Sequence, residues 1–410
     1  MSHPPLRIVH SGDFHLEQPL GGVAEVPDHL RELFLDAPYQ AASQVFETVL
    51  SEKADALLLS GDLVDVERAG PRAVVFLQEH FQRLADHGIP VFWATGQCDS
   101  IDSWPPCAEL PDNVCVFAVG KVENQQLRRG DQVLARIQGI SHRTEKAVDQ
   151  SGFHRDAHGV FTVGVAYDPT VASATSARVN YLALGGRHRR QAVEQSPGSA
   201  AHYCGSPQGR RPEEVGPCGC TVLAVDETGN IKTSFVATDA VRWLREVVEV
   251  TAGTDEDSLL DLLEQRITKV KRTHAGREVL VTWEIQGHGQ LLNHIRRGGI
   301  SDTISDLLRD RHGKESPGVW TVDIECHAPL EVPQEWVDAE TIMGELLRDF
   351  HNLEQEDTIP LELEEFLPPK LRKGQFAELA LVSPEERTAL LCQASKLGVD
   401  LLDGEEQLTA

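Results

Sequence analysis

The chain has no apolar run approaching the roughly 18 to 20 residues needed to span a bilayer. Its first residues, MSHPPLRIVH, lack a basic segment followed by a long apolar stretch, so no secretory leader is expected. Zinc-type cysteine pairing is also missing. Cysteines stand at 98, 107, 115, 204, 218, 220, 326 and 392, and none forms a C-x-x-C pair. Cys218 and Cys220 are the one close pair, with no second pair at zinc-site spacing. Free thiols in a reducing cytosol are the expectation. Positive charge is scarce. The chain holds 38 Lys and Arg against 64 Asp and Glu, a formal net charge of −26. Residues 1–240 hold 20 basic against 30 acidic residues, and residues 241–410 hold 18 against 34. Such a surface repels nucleic acid phosphates at long range, which argues against a freestanding DNA-binding protein. A nuclease subunit with a local basic patch or a helping partner remains compatible with it. Internal repeats and low-complexity tracts are absent too. With 40% hydrophobic and 25% charged residues over 410 positions, the composition is that of a globular chain of two or three domains.

Patterning along the chain gives its organisation. LRIVH at 6–10, ALLLS at 56–60 and PVFWA at 90–94 read as buried strands. Between them, residues 38–53 and 72–87 repeat apolar positions at helical spacing, the second with Val75, Leu77, Phe81 and Leu84. This β-α-β-α-β order predicts parallel strands joined by right-handed crossovers. Shorter alternating runs follow over 113–140, with further core strands at 159–166 and 179–184 and a hairpin around Glu227-Thr228-Gly229-Asn230. A layered α/β domain over 1–240 is expected. Strands at 241–251 and 277–286, with helices near 256–270 and 301–311, predict a small α+β domain over 241–330. Residues 331–410 are acidic and helical by pattern, with Ile342, Leu346, Leu347 and Phe350 on one face. Pro368-Pro369 breaks this segment, and Pro384-Glu385-Glu386 opens the last helix.

The polar residues that end the early strands carry chemistry. Strand one leads into Asp13-Phe14-His15, strand two into Gly61-Asp62, and strand three into Gly96-Gln97-Cys98-Asp99. Gly185-Gly186-Arg187-His188 follows the apolar run YLAL. In open α/β sheets, sites form at the carboxyl ends of strands. On an extended backbone, Asp13 and His15 would face one side and grip one ion. Any of these short motifs alone is weak, but their order after successive strands is specific.

With these motifs, the chain resembles the calcineurin-like metallophosphoesterases, and among them the SbcD and YhaO-type DNA repair exonucleases. The resemblance rests on VHSGDFHLEQPL at 9–20, ALLLSGDLVD at 56–65, IPVFWATGQCDS at 89–100, NYLALGGRHRRQ at 180–191 and YCGSPQGRRPEEVGPCGCTVLAVD at 203–226. It implies a β-sandwich flanked by helices, a capping domain over 241–330, and a C-terminal region that binds an SMC-type ATPase of the SbcC or YhaN kind. Homodimers and DNA contacts through the complex also follow from the resemblance.

The family site holds two ions, usually manganese. By position, the first would use Asp13, His15, Asp62 and His188, and all four are present. The second would need an asparagine and two histidines where this chain has Gln97, Tyr167 and Gly186. The family's catalytic histidine is replaced by Cys98. Two-metal hydrolysis needs ions about 3.5–4 Å apart. Glycine has no ligand atom, and a phenol with a pKa near 10 is a poor ligand for a hard ion. The expectation is therefore one divalent cation, manganese first and iron or zinc next, with weak or absent two-metal nuclease activity. Arg187, Arg189, Arg190, Arg210 and Arg211 flank the site and are candidates to hold phosphates. Asp168, His142, His154 and His158 are candidates for substitute ligands.

Overall fold

The computed structural model describes residues 3–142, 150–170, 178–196, 198–287, 290–296, 299–326, 334–355, 361, 363–368 and 382–406. Every site residue named above falls within them, whereas Pro369 does not. In chain order the first elements are β1 (Leu6–Ser11), α1 (Asp28–Ser51), β2 (Ala56–Leu59), α2 (Val66–Ala69), α3 (Pro71–Asp86), β3 (Val91–Trp93), β4 (Val114–Val116), β5 (Glu123–Arg129) and β6 (Gln132–Ile140). Then come β7 (Phe161–Tyr167), β8 (Tyr181–Gly185), β9 (Gln191–Ser196), β10 (Ser199–Tyr203), β11 (Gly219–Val225) and β12 (Ile231–Ala237). The remainder is β13 (Val241–Val250), α4 (Glu256–Thr273), β14 (Glu278–Gly287), α5 (Gln290–Arg296), α6 (Gly299–Leu308), β15 (Val319–Cys326), α7 (Gln334–Asp338), α8 (Ile342–Gln355) and α9 (Pro384–Glu406).

Two six-stranded sheets dominate, in the orders β12-β11-β1-β2-β3-β4 and β5-β6-β7-β8-β10-β9. β1 to β4 are mutually parallel, and β11 closes one side antiparallel to β1. The strands sort their side chains by the two-residue period of extended chain. From β1 and β2, Leu6, Ile8, Ala56 and Leu58 face a core shared with Val163, Val165, Tyr181 and Ala183 of the other sheet. Val9, Leu57 and Leu59 face the opposite way, against Val45, Phe46, Leu77 and Phe81 of α1 and α3. Both faces of the first sheet are thus covered at its centre, which explains why β2 and β3 are continuously apolar. Each such side chain contributes about 1.5–3 kcal/mol on burial. The expected sandwich flanked by helices is the architecture found.

α1 begins at Asp28, ten residues earlier than its apolar spacing suggests, and carries Pro38 inside it. Packing overrides the local penalty of proline. Leu30, Phe34 and Ala37 from its first turns are buried with Val241, Trp243, Leu280 and Trp320. The helix expected at 301–311 ends at Leu308 and passes into a π-turn over Arg309–Gly313.

Two compact units divide the chain. The first comprises 1–246, 264–283 and 305–323, and the second 247–263, 284–304 and 324–410. The first holds both large sheets and α1 to α3. In the second, α8 and α9 pack together, burying Leu347, Leu391 and Val399. Gly398 lets them approach, since a Cβ there would sit 2.8 Å from Leu346 Cδ2. Part of the apolar face of α8 is thereby used within the unit. Among the described residues, no helix is long and apolar enough to cross a membrane.

Candidate metal centre

The loops after β1 and β2 run side by side and are tied by backbone hydrogen bonds. Asp13 N donates to Gly61 O at 2.8 Å, His15 N to Asp62 O at 3.1 Å, and Leu16 N to Leu63 O at 3.1 Å. Gly12 permits this closeness, since a Cβ there would lie 2.6 Å from Ser60 Oγ, and Gly61 lets the loop after β3 approach in turn, since a Cβ there would lie 2.7 Å from Gly96 N. Asp13 and His15 do converge, but an extended backbone is not the reason. Both take left-handed conformations, φ 52° and 46°, and Asp62 takes φ 52°. These three kinks, unusual outside glycine, turn the side chains into one cleft. Asp99, the last residue of the strand-three motif, pins the third loop. Its buried carboxylate accepts from Leu63 N and Trp93 Nε1, both at 3.0 Å, and from Gly96 N. Burial, then the charge of Asp62, pushes its pKa up to about 6.

Asp13, His15 and Asp62 are buried, and His188 is exposed. Donor atoms of Asp13, His15 and His188 all lie within 4.8 Å of one another. Gly186 N donates to both Asp13 oxygens, at 3.0 and 3.1 Å. Asp62 Oδ1 accepts from Cys98 N at 2.8 Å, and Asp62 Oδ2 lies 3.7 Å from His15 Nε2. Glu17 is a further member that sequence reasoning missed. Its Oε1 lies 3.0 Å from His15 Nδ1, and its Oε2 accepts from Asp65 N at 2.9 Å. A neutral His15 that donates from Nδ1 to this carboxylate leaves Nε2 with a free lone pair. That Nε2 is buried and has no hydrogen-bond partner. Asp13 is pushed up to about 7 by burial and next by the Asp62 charge. Two buried carboxylates in mutual repulsion beside an orphaned imidazole nitrogen form a donor set that a divalent cation fits.

Tyr167 fills the other half of the cleft. Its Cδ2 would lie 2.9 Å from a Cβ on Gly61 and 2.7 Å from one on Gly96, and its Cζ 3.1 Å from one on Gly186. The ring thus lies among three glycines. Burial, then the charge of Asp62 and a hydrogen bond to it, holds the phenol well above its ordinary pKa, so it stays protonated. Gln97 is exposed. Cys98 is half-buried, and burial followed by Asp62 pushes its thiol up to about 12. Its sulfur falls within 4.8 Å of donor atoms of both His15 and Asp62. Asp168 is engaged elsewhere: its Oδ1 accepts from Thr170 N at 2.9 Å and Thr170 Oγ1 at 2.6 Å. The His142 ring lies edge-on to Tyr167 at 5.1 Å. His154 and His158 are exposed.

The five arginines have different surroundings. Arg210 is buried beneath the first loop, donating from Nη1 to Asp13 O and Phe14 O at 3.2 Å. Its Nη2 lies 3.1 Å from His188 Nδ1, which is also 2.6 Å from Glu214 Oε1. Arg187 donates to Pro169 O and lies over the Tyr203 ring. Arg190 donates to Thr221 Oγ1 and lies over Phe235. Arg189 and Arg211 are exposed.

Comparison with known proteins agrees with this architecture. Residues 6–162 match the calcineurin-like phosphoesterase family. A metallophosphoesterase of Bacillus subtilis, named YhaO and described as uncharacterized, is 24% identical over 370 residues, covering 86% of this chain and 89% of that protein. The DNA double-strand break repair protein Mre11 of Aeropyrum pernix is 32% identical over 94 residues, 23% of this chain and 21% of that protein. With strand-end acids and histidines gathered in one cleft, the chain carries a calcineurin-like metallophosphoesterase domain.

Proposed function

We propose that the chain is a phosphodiesterase-type subunit with a one-cation centre formed by Asp13, His15, Asp62 and His188, and with weak or absent two-metal nuclease activity. The observation that carries this reading is the Tyr167 ring, which fills the space between Gly61, Gly96 and Gly186. A bound cation would supply Lewis-acid polarisation of a phosphoryl oxygen. The chain's own groups do the rest. Glu17 fixes the His15 tautomer, Gly186 N–H orients Asp13, and Cys98 N–H holds Asp62. Arg189 and Arg211, exposed in loops beside His188 and Arg210, are suited to a phosphodiester. At position 98 a protonated thiol is a weak donor and cannot supply an imidazolium to a leaving oxygen.

By extension from Mre11, a DNA double-strand break repair protein, the substrate in this reading is DNA. A net charge of −26 favours delivery of that DNA by a partner, an SMC-type ATPase in this reading. Residues 331–410 would bind it, with residues 241–330 as a cap, all in the cytoplasm. Ile342, Phe366, Leu390 and Leu397 are large apolar residues left exposed in that C-terminal region. The test is metal analysis of the purified chain together with a manganese-dependent nuclease assay. Near one ion per chain is expected, lost in Asp62→Ala, with little cleavage. Two ions, or robust cleavage that disappears in Asp62→Ala, overturns the reading.

A further inference from the structure

We propose that Cys98 is itself a metal ligand, and that His15, Asp62 and Cys98 form a nitrogen–oxygen–sulfur position for a thiophilic divalent ion, zinc or ferrous iron, in preference to magnesium or manganese. The inference rests on the one-cation reading and names the class of ion that centre takes. The donor atoms of these three side chains lie within 4.8 Å of one another. An independent sign of a missing ligand is His15 Nε2, buried and without any hydrogen-bond partner on a residue 5% exposed. Its other nitrogen is occupied by Glu17, so only Nε2 is available to an ion.

Cys98 is also held in place. Its backbone N–H is bonded to Asp62 Oδ1, and the loop it sits on is pinned by the buried Asp99 next to it. The sulfur is therefore carried on a fixed backbone beside the Asp62 carboxylate. On coordination the thiol releases its proton to solvent and binds as thiolate. Within the His15–Asp62–Cys98 triad, one carboxylate and one thiolate offset the two charges of the dication, leaving Asp13 as the remaining carboxylate of the centre. Thiolate ligands select softer ions, whereas oxygen donors suit magnesium and manganese. Replacing the family's imidazole by a thiol would then exchange an acid for a ligand.

The experiment loads the full-length chain with cobalt(II) and reads near-ultraviolet absorption, which reports thiolate-to-metal charge transfer without any assay of turnover. The wild-type chain is expected to show the band. Cys98→Ser is expected to bind cobalt and lack the band, with zinc affinity weakened about tenfold or more and manganese affinity unchanged. Thermal melting checks that the variant folds, and absence of the band from the wild-type chain is decisive without it. Cobalt bound to wild-type chain with no such band overturns the Cys98 assignment and leaves the one-cation reading standing. So does a band that persists in Cys98→Ser. No cobalt bound overturns both.

Discussion

Tyr167 and Gly186 act as a pair at the scale of single residues. A side chain at 186 would meet the Tyr167 ring at 3.1 Å, on a backbone with φ 95°. The sequence displays a tyrosine and a glycine where the resemblance implies two ligands; it could not display that the tyrosine ring crowds the space beside position 186. That requires knowing where β7 ends relative to β8. The prediction is a contrast in manganese stoichiometry by isothermal titration. Tyr167→Phe keeps the ring and should bind as the wild type does. Tyr167→His opens the space and supplies an imidazole beside Asp62, and should gain a second, weaker ion. Equal stoichiometry in the two variants would show that the ring does not exclude it. Glu17 was illegible, and the task of Asp99 was too, for a related reason: a carboxylate that orients another side chain or pins a loop has no spacing rule.

Among the elements, strands were read more surely than helix starts. β2 and β3 are wholly apolar, and β1 is apolar apart from Arg7 and its last two residues, His10 and Ser11, so their pattern and their parallel order were plain. The first turns of α1 were missed because their partners, Val241, Trp243 and Trp320, lie some two hundred or more residues away in the chain. The start of α9 was legible because its signal is local. Ser383 and Glu386 exchange hydrogen bonds in a capping box: Ser383 N donates to Glu386 Oε2 at 2.9 Å, and Glu386 N to Ser383 Oγ at 3.3 Å. Ser383→Ala should weaken this helix end by about 1 kcal/mol. Amide hydrogen exchange should show faster exchange in the first turn of α9 and no change in β1. Unaltered exchange at 385–388 would remove the cap from the account of α9.

Over the whole molecule, acid stability hangs on imidazoles between the two sheets. His10 is fully buried, with Nδ1 3.0 Å from Tyr181 Oη and Nε2 3.1 Å from Ser60 Oγ. Burial, then the charges of His202 and Arg190, lowers its pKa to about 3, and burial lowers His202 to about 4. Both fall below the unfolded value near 6.5, so the unfolded chain binds more protons in that window. Stability is therefore retained above pH 6.5 and lost as pH falls towards 4 and then 3, on the order of 1 kcal/mol per pH unit for His10. Melting temperature against pH should fall less steeply over that window in His10→Gln than in the wild type. Parallel curves would refute the assignment. The left-handed turns at Asp13 and Asp62 have a consequence of another kind. Asparagine tolerates that conformation nearly as well as aspartate, so a single-nucleotide change at either codon can silence a ligand while sparing the loop. Evolution can thus retire the chemistry of this scaffold stepwise and keep its shape in service.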